Sequence, residues 1–308
     1  MVSTELSSTT CPPVSASSAP PPASTLPTSP ESTKNDDDDP PTVRFTSIRK
    51  LFNTIDSTPG DFLVVTDVSP DQFSQIERAR EKRLRKFRFR RYSEASRILI
   101  ITITLVIHEI LHLDLYQQFY IQLVQNGMQK CWLSCGASFY RSLQGYPAGG
   151  GGEGDSTGGP AAERGKKGGW PTLVINAGYT EPLRELHNDM RWWFSASDHQ
   201  VKIVLLAKFY RTRSVIVLEK WEEEEAQPRQ GATTTRRFAA VRFQPILRQT
   251  TTIAQNTTTN PFSYNVTGGA LILSFRLLFL RDPGPGEADV VFTIQDLEEY
   301  AESVWYQV

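Results

Sequence analysis

Cysteine is scarce in this chain of 308 residues: Cys11, Cys131 and Cys135 are the full set. An odd, unevenly spaced trio excludes a disulfide framework, and Cys131 with Cys135 supplies at most half of a structural zinc site. An intracellular, reducing setting is the simplest expectation. Long apolar runs are missing as well. The most apolar stretch, Ile98–Ile107, is about half of what a bilayer crossing needs, so no membrane span is expected. Charge of one sign is also absent. The 33 Lys and Arg nearly balance 34 Asp and Glu, so any affinity for DNA or RNA must come from a local patch. Residues 1–35 hold neither an apolar core nor a basic leader, so no secretory leader is expected. The sequons at Asn256 and Asn265 then carry no weight.

Hydrophobic patterning divides the remainder. Residues 1–42 are rich in Ser, Thr and Pro and end in DDDDPP, a composition that buries too little apolar surface to offset ordering entropy. A disordered tail is expected there, with one domain over 43–308. Asp61–Val68 reads as a strand, and Ser69-Pro70 opens a helix as N-cap and first position. A strand over Ile98–Thr104 leads into a helix over Leu105–Met128, ended by Gly127. Residues 146–169 read as a glycine-rich loop of low complexity. Trp170–Trp221 reads as a strand, a turn, an amphipathic helix and two strands. Residues 222–235 form a polar insertion, and strands are expected over 238–252 and 269–281. Thr293 should cap a terminal helix over 294–306. This order implies an α/β or α+β domain around a mixed sheet flanked by helices.

Three groups of residues point to chemistry. His108-Glu109-Ile110-Leu111-His112 is an H-E-x-x-H on the long helix. That spacing sets two imidazoles one turn apart for zinc, with Glu109 polarising a water. Its third ligand would be Glu185, four residues before Asp189, as in zinc peptidases of the gluzincin type. The plain structural alternative makes His108 a helix-start residue and His112 a core residue. The second group is Glu109, Asp155 and position 176. A glutamate on a helix beside a sheet, an aspartate at a strand start and an acid at the next strand's end would converge on magnesium or manganese. The third is the basic run 78–91 with Phe87 and Phe89 interleaved. Arg83, Arg85, Lys86, Arg88, Arg90 and Arg91 could contact phosphates, and the run also reads as a nuclear-targeting patch. The competing reading is a solvated helix face leading into a strand.

The blocks HEILH, EGDSTGGP, WPTLVINAGYTEP, LHNDMRWWF and VKIVLL together resemble a large group of fungal proteins. The core of that group is similar to the restriction-endonuclease-like, P-D…(D/E)-x-K nuclease superfamily. The resemblance implies a nuclease-like sheet in which Glu109, Asp155 and residue 176 hold magnesium or manganese for phosphodiester cleavage. Two departures stand out: Asn176 replaces the glutamate of the group, and Ala177-Gly178 offers no lysine after it. An amide oxygen brings no charge, so weak or lost cleavage is expected, with nucleic-acid binding retained. The alternative is a non-catalytic interaction protein on the same fold.

Overall fold

A computed structural model describes residues 39–83, 87–143, 150–225 and 243–308. Its first part runs β1 (Thr42–Arg44), α1 (Ile48–Ser57), β2 (Phe62–Thr66), α2 (Pro70–Glu81), β3 (Phe87–Ser93), β4 (Ile98–Ile103) and α3 (Val106–Gln125). Short strands β5 (Trp132–Ser134), β6 (Phe139–Arg141), β7 (Gly151–Glu153) and β8 (Ser156–Pro160) follow, then α4 (Ala161–Arg164) and β9 (Leu173–Gly178). Next come α5 (Leu183–Ala196), β10 (Ile203–Tyr210) and β11 (Val215–Glu225). The last part holds β12 (Phe243–Asn256), β13 (Ser263–Thr267), β14 (Leu271–Leu273), α6 (Phe275–Phe279), β15 (Val290–Phe292) and α7 (Ile294–Trp305). This is the mixed α/β architecture expected from the sequence. No helix among the described residues is long and apolar enough to cross a membrane.

Helix starts follow their local chemistry. Ser69 and Gln72 form a reciprocal capping box at α2, with Pro70 at its first turn. Thr293 and Asp296 do the same at α7. Helix α3 buries Ile107, Leu111, Leu115, Phe119 and Leu123 along one stripe and carries His108 and His112 beside it.

Two large sheets carry the fold. One has the order β1-β2-β4-β3-β7-β6, the other β13-β12-β11-β10-β9-β8-β5; β14 and β15 form a separate pair. Strand β9 separates two cores by alternation. Leu173, Ile175 and Ala177 join the cluster of α3, α6 and α7, whereas Val174 joins Trp170, Trp192 and Trp193 on the α5 side. Helices α1 and α2 cover the first sheet through Leu51, Ile55, Phe73 and Ile76. The chain crosses from one sheet to the other between β7 and β8, at Gly154-Asp155.

Several expectations are corrected. Of the span 146–169, read as a loop, residues 146–149 lie outside those described, and Gly151–Glu153 and Ser156–Pro160 are two buried strands. Glycine has poor strand propensity, but here its bareness admits neighbours. A Cβ on Gly152 would lie 3.0 Å from the Trp192 ring, and one on Gly158 would lie 2.5 Å from Trp132 Nε1. The polar insertion begins later than expected, because β11 continues through Glu222–Glu225 paired with β12; residues 226–235 lie outside those described. The strand expected over 269–281 is strand β14 followed by helix α6. The expected tail, 1–42, lies outside the described residues up to position 38, and β1 starts at Thr42.

Candidate functional site

Charged side chains converge where the two sheets meet. Strand β3 delivers them through a β-bulge. Its pairing with β4 slips between Phe89 and Arg91, so Arg90 is an extra residue. As a result Phe87, Phe89 and Tyr92 all enter the core of the first sheet. Arg88, Arg90 and Arg91 pair with acids instead.

Arg90 is fully buried among three carboxylates. It donates to Asp189 through Nε at 2.6 Å, to Asp155 at 2.6 Å, to Glu181 at 2.9 Å and to the Ala177 carbonyl at 3.1 Å. Asp155 is engaged on both oxygens. Oδ2 accepts from Arg90 and from the Ala177 N–H at 2.8 Å, and Oδ1 accepts from Arg88 at 3.3 Å. Burial alone would raise the Asp155 pKa, but Arg90 and His108 hold it well below the usual carboxylate range. Glu181 shows the opposite balance: burial, with the charges of Asp189, Asp61 and Asp155, outweighs Arg90 and raises it well above 4.5.

The two histidines enter from α3. His108 Nδ1 lies 2.8 Å from Asp61 Oδ2, and its Nε2 lies 3.1 Å from Asp155 Oδ1. Burial opposes its protonation, but Asp155 and Asp61 overcome this and push its pKa up to about 10. His112 Nδ1 lies 2.9 Å from Ser156 Oγ, and its Nε2 lies 3.4 Å from Glu109 Oε2. Burial lowers the His112 pKa, keeping it neutral. Glu109 in turn accepts from Arg88 at 2.8 Å. Burial works against its ionisation, but His112 and Arg88 carry its pKa below the ordinary glutamate value.

Of the residues singled out in sequence, the structure brings Glu109 and Asp155 to the two ends of one guanidinium, that of Arg88. Asn176 is buried elsewhere. With its amide turned to satisfy both groups, its oxygen accepts from Trp193 Nε1 and its nitrogen donates to the Ile175 carbonyl, each at 3.2 Å. The magnesium set therefore does not fit as drawn from sequence. Asp155 has cationic and N–H donors on both oxygens, Arg88 stands between it and Glu109, and Asn176 faces α5. Gly178, where a motif lysine would stand, is in register with Lys208 of β10, whose Nζ donates to the Tyr179 carbonyl at 2.6 Å.

Five arginines of the basic run pair with acids of the chain. Arg80 pairs with Glu153 and Arg83 with Asp56, and Arg83 also lies over the Phe52 ring. Arg91 pairs with Asp189 at 2.9 Å and Glu185 at 3.7 Å. Arg85 and Lys86 lie outside the described residues. Glu185 thus meets Arg91, and the acids that reach the histidines are Asp61 and Asp155 at His108 and Glu109 at His112. Sequence reading missed Asp61 and Glu181. Asp61 is 47 positions from His108 and accepts from Tyr179 N, Thr180 N and Thr180 Oγ1 at 2.6 to 2.8 Å. Only the bare Asp-after-Gly of PGDF marks it, which is no signal of a site.

No protein-family model matches the chain, and no curated protein matches it.

Proposed function

We propose that this chain is a nuclease-like protein of the P-D…(D/E)-x-K type that has lost magnesium-dependent cleavage and acts by binding. One observation carries the reading: the guanidinium of Arg88 spans Glu109 and Asp155, where a nuclease would need a hard cation. Support for the nuclease-like ancestry is positional. Glu109 lies on a helix packed against the sheet, Asp155 directly precedes β8, and Asn176 lies on the neighbouring antiparallel strand β9. Loss is favoured by the orientation of Asn176 and by Arg88, which competes with a cation for Asp155 and Glu109.

Because Arg83, Arg88, Arg90 and Arg91 pair with acids of the same chain, the favoured ligand is a protein surface rather than a nucleic acid. Two assays test this. Full-length protein incubated with magnesium or manganese should leave single- and double-stranded DNA and RNA intact. Asn176→Glu should restore nothing, because it buries a carboxylate against Trp193 rather than beside Asp155. Cleavage that disappears in Asp155→Ala would overturn the proposal. Salt-sensitive binding of nucleic acid would redirect the choice of ligand.

A further inference from the structure

The histidine pair is left unused by that reading, and its surroundings are more built than a core packing role needs. One ring nitrogen of His108, one of His112 and one Asp155 oxygen lie within 4.8 Å of one another, and all three residues are buried. Neither Nε2 atom has a hydrogen-bond partner, although both are inaccessible to water. Such orphaned ring nitrogens cost free energy unless something occupies the space between them. The outer nitrogens are fixed. Asp61 can only accept, so His108 keeps a proton on Nδ1 and a metal would displace the one on Nε2, and Ser156 Oγ contacts Nδ1 of His112. Each ring thus leaves Nε2 for a cation, with a carboxylate behind one and a hydroxyl behind the other, as in metal-ligating histidines.

One edge between the ligands, and the approach of Glu109 to His112, have the length that a bound ion requires. Bonds of about 2.0 Å in a tetrahedron give ligand-to-ligand edges of about 3.3 Å. His108 Nε2 to Asp155 Oδ1 is 3.1 Å, and His112 Nε2 to Glu109 Oε2 is 3.4 Å. We propose that His108 Nε2, His112 Nε2 and Asp155 Oδ1 bind a borderline-soft divalent cation of the zinc type, with Glu109 beside its remaining position. Two imidazoles and one carboxylate select such an ion over magnesium, which prefers an all-oxygen octahedron. Arg88 is the built-in competitor, since it touches both Asp155 and Glu109. The site goes beyond loss of magnesium chemistry: zinc binding and cleavage are separate readouts, and either can fail alone.

The test uses the full chain carrying Cys131→Ser and Cys135→Ser, because these thiols are free and Cys131 is exposed. Zinc retained after dialysis is counted by mass spectrometry, and cobalt is added as a spectroscopic probe. About one zinc per chain is expected, with cobalt d–d bands of a tetrahedral site and no thiolate charge-transfer band. His112→Gln should abolish binding, Ser156→Ala should weaken it by roughly 10–100-fold, and Arg88→Met should tighten it. Circular dichroism and melting establish that each variant is folded. No zinc and no cobalt bands in the folded parent would overturn the proposal. So would zinc held equally by folded His112→Gln. If His112→Gln does not fold, the parent's cobalt spectrum and the opposite shifts in Ser156→Ala and Arg88→Met decide, and unchanged affinity in both overturns it.

Discussion

At the residue scale, Arg90 is the most consequential side chain of the molecule. A buried guanidinium facing three carboxylates is worth little as net stability, but removing it leaves acids without compensation. Arg90→Met should destabilise by about 3–5 kcal/mol, read as a shift of urea midpoint at constant slope. Glu181 yields a pH prediction. Its pKa is raised in the folded state, so its contribution to stability is full below about pH 4.3 and is lost as pH rises through the folded value. Glu181→Gln, which keeps an acceptor for Arg90, should therefore gain on the wild type as pH rises. Urea melts at several pH values would show it, and a gap that stays constant with pH would refute it. The residues of this network were only partly legible in sequence. His108, Glu109 and Asp155 stand in recognisable blocks, but their partners Asp61, Arg90 and Glu181 come from three other segments. No local pattern records a contact made across 47 positions in one case and 91 in another.

At the element scale, the bulge in β3 and the glycines of β7 and β8 do most to place the site. A regular strand would put Tyr92 on the face of Arg88 and Arg90; the extra residue returns it to the core, where it stacks on Phe73. The run RFRFRRY shows the alternation but not the slip, because a bulge depends on the partner strand. Strands β7 and β8 were hidden for a different reason. Glycine-rich segments carry no strand propensity of their own, and their pairing is fixed by the tryptophans that close on them. Gly158→Ala tests this. The added methyl would meet Trp132 Nε1 and Tyr116 Oη at 2.5 and 2.6 Å and disturb the hydrogen bond that joins them. A loss of about 1–3 kcal/mol is expected, measured by thermal or urea unfolding. The starts of helices α2 and α7, by contrast, were legible to the residue, since their caps are written in adjacent positions; the end of α2 was not, because the charged run read as helix through position 87 and the helix stops at Glu81.

At the scale of the whole molecule, the charged cluster joins two sheets. Asp61, Arg88 and Arg90 belong to segments of the first sheet, and Asp155, Glu181 and Asp189 lie on or beside elements of the second. Asn176→Glu is informative at this scale. It should lower stability by about 1–3 kcal/mol, since a charge is buried with only an indole N–H to receive it. The stabilities of this variant and the wild type, measured beside their cleavage, separate a damaged fold from an absent reaction.

Asp155 sits on the two-residue passage from one sheet into the other, held by three donors drawn from both. A descendant chain that no longer performs any reaction would still fall apart without this aspartate. Were this aspartate, with Arg90 and Asp61, kept in such a descendant, selection for folding alone would account for it. Inheritance of these residues is no record of catalysis.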